Sequence, residues 1–228
     1  MLMKNDFQLE EIKRFVSVLS KHKVSDQMIL IGSWATYFYQ SIWPTYQPTI
    51  RTTDMDLYTG FAISGHKVDL PKILKDNQYL VETKNGSYQH YIFTTRGFEI
   101  EFVTHLRRSQ NPVFLVKNLN VNAVPLPHHE KITMDQTFTY QFEGGSVIRI
   151  IRPSLYVIMK LLINRNRRKE KSEKDLDSIQ SIIPFLIQDQ KELDAFKKTI
   201  DTLSNAQIKR CLKSIEKGNL YMLTTYFE

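Results

Sequence analysis

Apolar residues recur at helical spacing over residues 6–21, where Leu9, Ile12, Val16 and Leu19 share one stripe, so the chain opens with an amphipathic helix. The period then changes. Met28-Ile29-Leu30-Ile31 is a continuous apolar run that stops at Gly32, the pattern of a short buried strand. Ser33 is placed to cap a helix through Tyr39, and Pro44 and Pro48 enforce an irregular connection after it. Residues 54–58 begin with polar and apolar side chains in alternation and read as a strand. Asp69 before Leu70-Pro71 starts a helix that runs to about Asp76.

Residues 78–83 and 87–94 read as strands flanking Asn85-Gly86, a hairpin turn signal. Arg96-Gly97 turns the chain into a further strand, residues 98–103. A less regular stretch leads to a second hairpin, residues 137–142 and 147–151, around Gly144-Gly145. From Pro153 onward the pattern is helical almost throughout, with Leu155, Ile158, Met159 and Leu162 on an apolar stripe. The expected organisation is a mixed domain over residues 1–151 and a helical domain over 152–228, an α+β chain.

Composition narrows the class. With 42% hydrophobic and 24% charged residues in 228, the chain is of ordinary globular make-up. No apolar run approaches the roughly 20 residues of a membrane helix, so no membrane partner is expected. The start, Met1-Leu2-Met3-Lys4-Asn5-Asp6, lacks the apolar stretch of a secretory signal. Cys211, the single cysteine, excludes an internal disulfide and a cysteine-based zinc cluster; a reducing cytoplasm is the expected location. His128-His129 lacks the spaced partners of a zinc site. The net charge of +7 and pI near 9.3 favour polyanionic partners, RNA and DNA among them.

The candidate chemistry lies in carboxylates. On a strand, Asp54 and Asp56 face one way while Met55 and Leu57 face the core. Two close carboxylates repel unless a cation lies between them, and oxygen donors of this kind suit Mg²⁺. Glu99 and Glu101 repeat the pattern on a later strand, with Ile100 and Phe102 opposite. A third carboxylate from a neighbouring strand permits a two-ion clamp for in-line phosphoryl or nucleotidyl transfer. Gly32-Ser33 supplies the complement: a glycine lets the backbone approach a phosphate, and the start of the next helix offers unpaired N–H groups.

Gly32-Ser33 ahead of Asp54-x-Asp56, with a later carboxylate between apolar residues, resembles the DNA polymerase β-like nucleotidyltransferases. Ile31-Gly32-Ser33-Trp34-Ala35 and Arg51-Thr52-Thr53-Asp54-Met55-Asp56-Leu57 look most like the abortive-infection and toxin-type branch. The resemblance spans Met28 to Asp177 and is strongest up to Thr59. It implies a mixed β-sheet core flanked by helices and followed by a helical region. It also implies two Mg²⁺ ions and a nucleoside triphosphate, ATP among the candidates. By it Asp54, Asp56 and a third carboxylate are the metal ligands and catalytic residues, while Gly32, Ser33, Arg51 and Lys160 hold the nucleotide. The third carboxylate departs from the usual Asp: it is Glu101 or Glu99. Glu101 is preferred because it stands mid-strand, away from the Arg96-Gly97 turn.

Each of these residues has a plainer reading. The paired acids fit a solvated strand face, Arg51 fits an ion pair with Asp54 or Asp56, and Lys160 fits a snorkelling surface lysine. Asn164 lies one turn beyond Lys160 on the same helix face, and Asp175 is either a nucleotide-side acid or a helix-start residue. Residues 165–174 carry six cations against two acids, a solvated connection or an acceptor-binding patch. The aromatic residues between Tyr37 and Tyr58 read as core. Acceptors open to such an enzyme are an RNA or tRNA end, a protein hydroxyl or an aminoglycoside-type small molecule. The toxin-type resemblance adds an antitoxin as a partner. The alternative is a degenerate member that binds nucleotide or RNA without catalysis.

Overall fold

The computed structural model describes residues 3–48, 52, 54–60, 67–84, 90–95, 98–106 and 113–227. The chain gathers into two compact units. The first comprises Met1–Trp34, Thr52–Glu130 and Thr137–Ile150; the second comprises Ala35–Arg51, Lys131–Gln136 and Ile151–Glu228.

The first unit opens with α1 (Met3–Lys21), β1 (Ile29–Ile31) and the start of α2 (Ser33–Tyr37), followed by β2 (Asp54–Tyr58) and α3 (Leu70–Asp76). Then come β3 (Leu80–Lys84), β4 (His90–Thr95), β5 (Phe98–His105), β6 (Phe114–Val116), β7 (Val121–Leu126), β8 (Thr137–Gln141) and β9 (Val147–Ile151). Seven strands lie in the order β3-β4-β5-β2-β1-β9-β8, while β7 pairs with β5 and β6 pairs with β7. β2 is central, antiparallel to β1 and parallel to β5. A parallel pair cannot be joined by a tight turn. The excursion through α3, β3 and β4 makes that crossover.

Strand alternation sorts the sheet into two faces. Leu30, Met55, Leu57, Ile100 and Phe102 are fully buried on one. Trp34 meets Phe98 edge to face there, with ring centroids 5.8 Å apart. Ile12, Phe15, Val16 and Leu19 of α1 are also fully buried, and each such side chain stabilises by about 1.5–3 kcal/mol.

Several boundaries differ from the pattern reading. Ser33 is the first residue of α2, not its cap, and α2 gives way to a 3₁₀ turn, Phe38–Ser41. β3 begins at Leu80 because Gln78 adopts φ +68° in the turn closing α3. β5 runs on to His105, and the irregular stretch after it contains β6 and β7. α3 starts where expected, its cap Asp69 accepting from the Lys72 N–H at 3.3 Å. β3 and β4 pair antiparallel, and β8 lies next to β9 in the sheet, the two joined around Gly144 and Gly145, both at positive φ. The Asn85-Gly86 and Arg96-Gly97 turns lie outside the described residues.

The second unit is built on α4 (Pro153–Asn164), against which α5 (Lys169–Gln188), α6 (Gln190–Ile200) and α7 (Asn205–Lys217) pack. Leu155, Val157, Ile158 and Leu161 are fully buried, so α4 is apolar almost all round, as a central helix must be. Tyr39, Trp43 and Tyr46 are core: Trp43 stacks on Phe185 at 5.6 Å, and Tyr39 meets Tyr156 edge-on at 6.0 Å. Trp43 Nε1 donates to Asp189 Oδ2 at 2.9 Å, while Asp189 Oδ1 caps α6 by accepting from the Lys191 and Glu192 N–H groups. Cys211 is buried, and that burial pushes its thiol up to about 12, which keeps it protonated and inert. Among the described residues no helix is long and apolar enough to cross a membrane.

Candidate active site

The register of two strands builds the site. β2 and β5 pair so that Asp54 lies beside Glu99 and Asp56 beside Glu101. Residues paired in register share a face, so all four carboxylates stand on the face opposite the buried Met55, Leu57, Ile100 and Phe102. Each of the four is half-buried. Neighbouring strands are about 4.8 Å apart and residues two along a strand about 6.6 Å, so the four acids spring from the corners of a small rectangle. Asp54 N–H also reaches the Thr52 hydroxyl at 3.4 Å.

Such a donor set is hard and anionic, suited to Mg²⁺ rather than to a soft metal. Among the described residues no group of three or more His, Cys, Asp or Glu side chains is placed to hold a metal ion. Like charges this near repel when no cation lies between them. Asp and Glu differ in reach by one methylene. The chemistry of the four donors suits such an ion, while their present placement does not gather three of them round one point.

Gly32 supplies the second element. β1 pairs with β2 so that Ile31 lies beside Asp56, and the chain then turns through Gly32 at φ +71°. A Cβ on Gly32 would collide with Asp56 Oδ2. The glycine is therefore required twice, by its backbone conformation and by the carboxylate lying against it. Ser33 begins α2 directly after this turn. For Gly32→Ala we expect a loss of activity of at least tenfold, since the carboxylate must move and a left-handed alanine adds about 1–2 kcal/mol of strain. Steady-state kinetics beside a thermal melt check this; unchanged kcat/KM would show that Asp56 does not need its present position.

Further along the same face, Tyr58 follows Asp56 by two residues and shares a hydrogen bond with His105 Nδ1 at 3.1 Å. His129 lies over the Tyr58 ring, centroids 6.2 Å apart, with its Nδ1 2.9 Å from the Pro127 carbonyl oxygen. Tyr58 and His129 are buried, and His105 is half-buried. Alternation along β2 and β5 was a signal sufficient to find Tyr58 and His105. His129 enters from a loop distant in sequence, and no local pattern marks it.

Arg51 and Thr53 lie outside the described residues. Lys160 belongs to the second unit and is not a snorkelling surface residue: it is 8% exposed, and its Nζ donates to Asp175 Oδ1 at 2.6 Å. Arg167 Nε faces the other carboxylate oxygen at 3.1 Å. Asp175 is therefore neither a helix-start residue nor a free acid but a buried hub inside α5. Burial alone would lower the Lys160 ammonium, yet Tyr156 and Asp175 hold it above the usual lysine value. Asn164 is buried and joined to Ser172 by two hydrogen bonds, Nδ2 to the Ser172 carbonyl at 3.0 Å and Ser172 Oγ to Oδ1 at 2.9 Å. Of the cationic run, Lys169, Lys171 and Lys174 form the first turns of α5.

A family model described as nucleotidyltransferase matches residues 10–202. No curated protein matches the chain. Among solved structures, the chain is similar to the antibiotic-resistance factor ANT(2'')-Ia at 8% identity, covering 97% of both chains with a TM-score of 0.45. It is also similar to an antigenic nucleotidyltransferase-like protein from Paracoccidioides brasiliensis, at 17% identity, covering 90% of this chain and 93% of that one, with a TM-score of 0.45.

Proposed function

The chain belongs to the nucleotidyltransferase family that matches it over residues 10–202, and from that premise we propose that it transfers a nucleoside monophosphate from a nucleoside triphosphate to an acceptor hydroxyl, with Mg²⁺. The observation that carries the reading is the in-register pairing of β2 with β5, which sets four acids on one face next to Gly32.

Asp54, Asp56 and Glu101 would hold two Mg²⁺ ions, which when bound neutralise phosphate charge and orient the reacting oxygens. Glu101 is favoured over Glu99 because its register partner is Asp56, the carboxylate that lies against the Gly32 turn. Gly32 and Ser33 hold the triphosphate through backbone N–H groups and the serine hydroxyl. Arg51 is carried over from the family resemblance as a further phosphate contact, whereas Lys160, which the resemblance also names, is committed to Asp175 inside the second unit. An acceptor oxygen attacks the α-phosphorus, the bond from that phosphorus to the bridging oxygen breaks, and pyrophosphate leaves. Glu101 would accept the hydroxyl proton. Alignment and charge neutralisation supply most of the acceleration.

The test is label transfer. The protein is incubated with each α-³²P-labelled NTP, Mg²⁺ and total RNA or cell lysate, with EDTA as control. The expected result is a labelled acceptor that EDTA abolishes. Retained nucleotide binding without transfer would favour a degenerate member. The same assay decides the third ligand: Glu101→Gln should lower kcat by about 10²–10³-fold, the cost of one lost charge-stabilising group, and Glu99→Gln by less than tenfold. A reversed order would move the role to Glu99. The narrower toxin-type resemblance makes growth arrest on expression a second readout, relieved by Asp56→Asn or by co-expression of an antitoxin.

A further inference from the structure

Basic charge is unevenly distributed. The second unit holds 17 Lys and Arg against 11 Asp and Glu, net +6, whereas the first holds 14 against 13. Much of that excess is gathered in one place. On α7, Lys209, Lys213 and Lys217 follow at intervals of four, all exposed, a row about 12 Å long. Like charges at this spacing destabilise a helix. The tip of the row is fixed: Lys217 Nζ donates to Ser172 Oγ at 2.6 Å and approaches Asn164 Oδ1 at 3.5 Å. That tie joins the α7 row to the turn between α4 and α5, where Arg165, Arg168 and Lys171 are also exposed. Among the described residues none of Arg165, Arg168, Lys171, Lys209 and Lys213 has an ion-pair partner.

Two segments some forty residues apart in sequence are thus folded into one cationic track. Its chemistry selects the partner. None of the exposed large hydrophobic residues falls on either stretch, so the track has neither the apolar face of a membrane-lying helix nor a stacking platform for bases. What remains is a line of point charges suited to successive phosphates of a nucleic-acid strand, which gives affinity without base reading. We propose that this track binds a nucleic-acid backbone. The binding does not rest on the transferase reading above.

The experiment measures binding of the full chain, without NTP, to fluorescent RNA and DNA hairpins across NaCl concentrations. The slope of log affinity against log salt should fall by about 0.9 for each phosphate contact removed from a duplex. Arg165→Gln/Arg168→Gln/Lys171→Gln/Lys213→Gln should flatten it by about 3–4 and weaken binding at least 30-fold at 0.1 M salt, with an unchanged thermal melt. Lys191→Gln/Lys197→Gln/Lys198→Gln on α6 is the control for charge alone and should keep most of the affinity. Equal binding of RNA and DNA, or a preference for RNA, supports the proposal. It is overturned if the quadruple variant binds as the parent does, or if the α6 variant loses as much. Wild-type binding confined to phosphatidylserine vesicles would overturn it too. If hairpin binding fails while label transfer persists, this proposal falls and the transferase reading stands.

Discussion

Asp56→Asn should abolish nucleotidyl transfer, lowering kcat/KM by about 10³-fold or more, equivalent to about 4 kcal/mol of transition-state stabilisation. The substitution keeps shape and removes charge. Asp56 stands at the junction of the three elements of the site: beside Glu101 on β5, beside Ile31 on β1, and against the turn at Gly32. An amide there still fills the space beside Gly32, so the fold and melting temperature should hold while transfer is lost. Initial rates with labelled NTP, read beside a circular-dichroism melt, make the separation. Activity within tenfold of wild type would remove Asp56 from the machinery.

The largest effect on stability is expected at Asp175. Its side chain is 7% exposed and answers two cations, Lys160 at 2.6 Å and Arg167 at 3.1 Å. Asp175→Ala leaves the Lys160 ammonium buried without a counter-charge, a change that costs about 3–5 kcal/mol. Lys160→Met should cost less, because Asp175 keeps Arg167, whose side chain is 33% exposed and partly hydrated. Replacing both as Lys160→Met/Asp175→Leu should recover much of the loss, since an apolar pair carries no desolvation penalty. Urea denaturation followed by circular dichroism orders the three variants. A loss below 1 kcal/mol in Asp175→Ala would mean that water reaches the pair. The sign with pH follows from the raised Lys160 value: the contribution is present throughout the neutral range and fades only as pH climbs through that raised value.

These residues also show what a sequence discloses. Residues 54–57 and the first part of β5 alternate strictly, and their registers match the pattern because half-buried strands obey a period of two. The shared face of the four acids was legible from that period. Their pairing as neighbours was not, because adjacency depends on the 39-residue crossover between Tyr58 and Phe98 and not on local spacing. β6 and β7 escaped notice for a similar reason. β6 has three residues, β7 ends in Pro125-Leu126, and both are held by pairing with a strand distant in sequence.

Lys160 and Asp175 illustrate the same limit in helices. The spacing within α4 marks a lysine among apolar neighbours, which a snorkelling residue fits equally well. Only the turn between α4 and α5, closing fifteen residues, brings Asp175 to it. Gly32 is the intermediate case. Its place at a strand end before a helix was readable, whereas the carboxylate filling the space of its missing side chain was not.

The most direct measurement is a crystal structure of the full chain with Mn²⁺ and a non-hydrolysable NTP analogue, using anomalous scattering to locate the metal. The expected density is manganese held by Asp54, Asp56 and Glu101, with the triphosphate against Gly32 and Ser33. Manganese absent from this sheet face, or a nucleotide bound away from the Gly32 turn, would contradict the assignment.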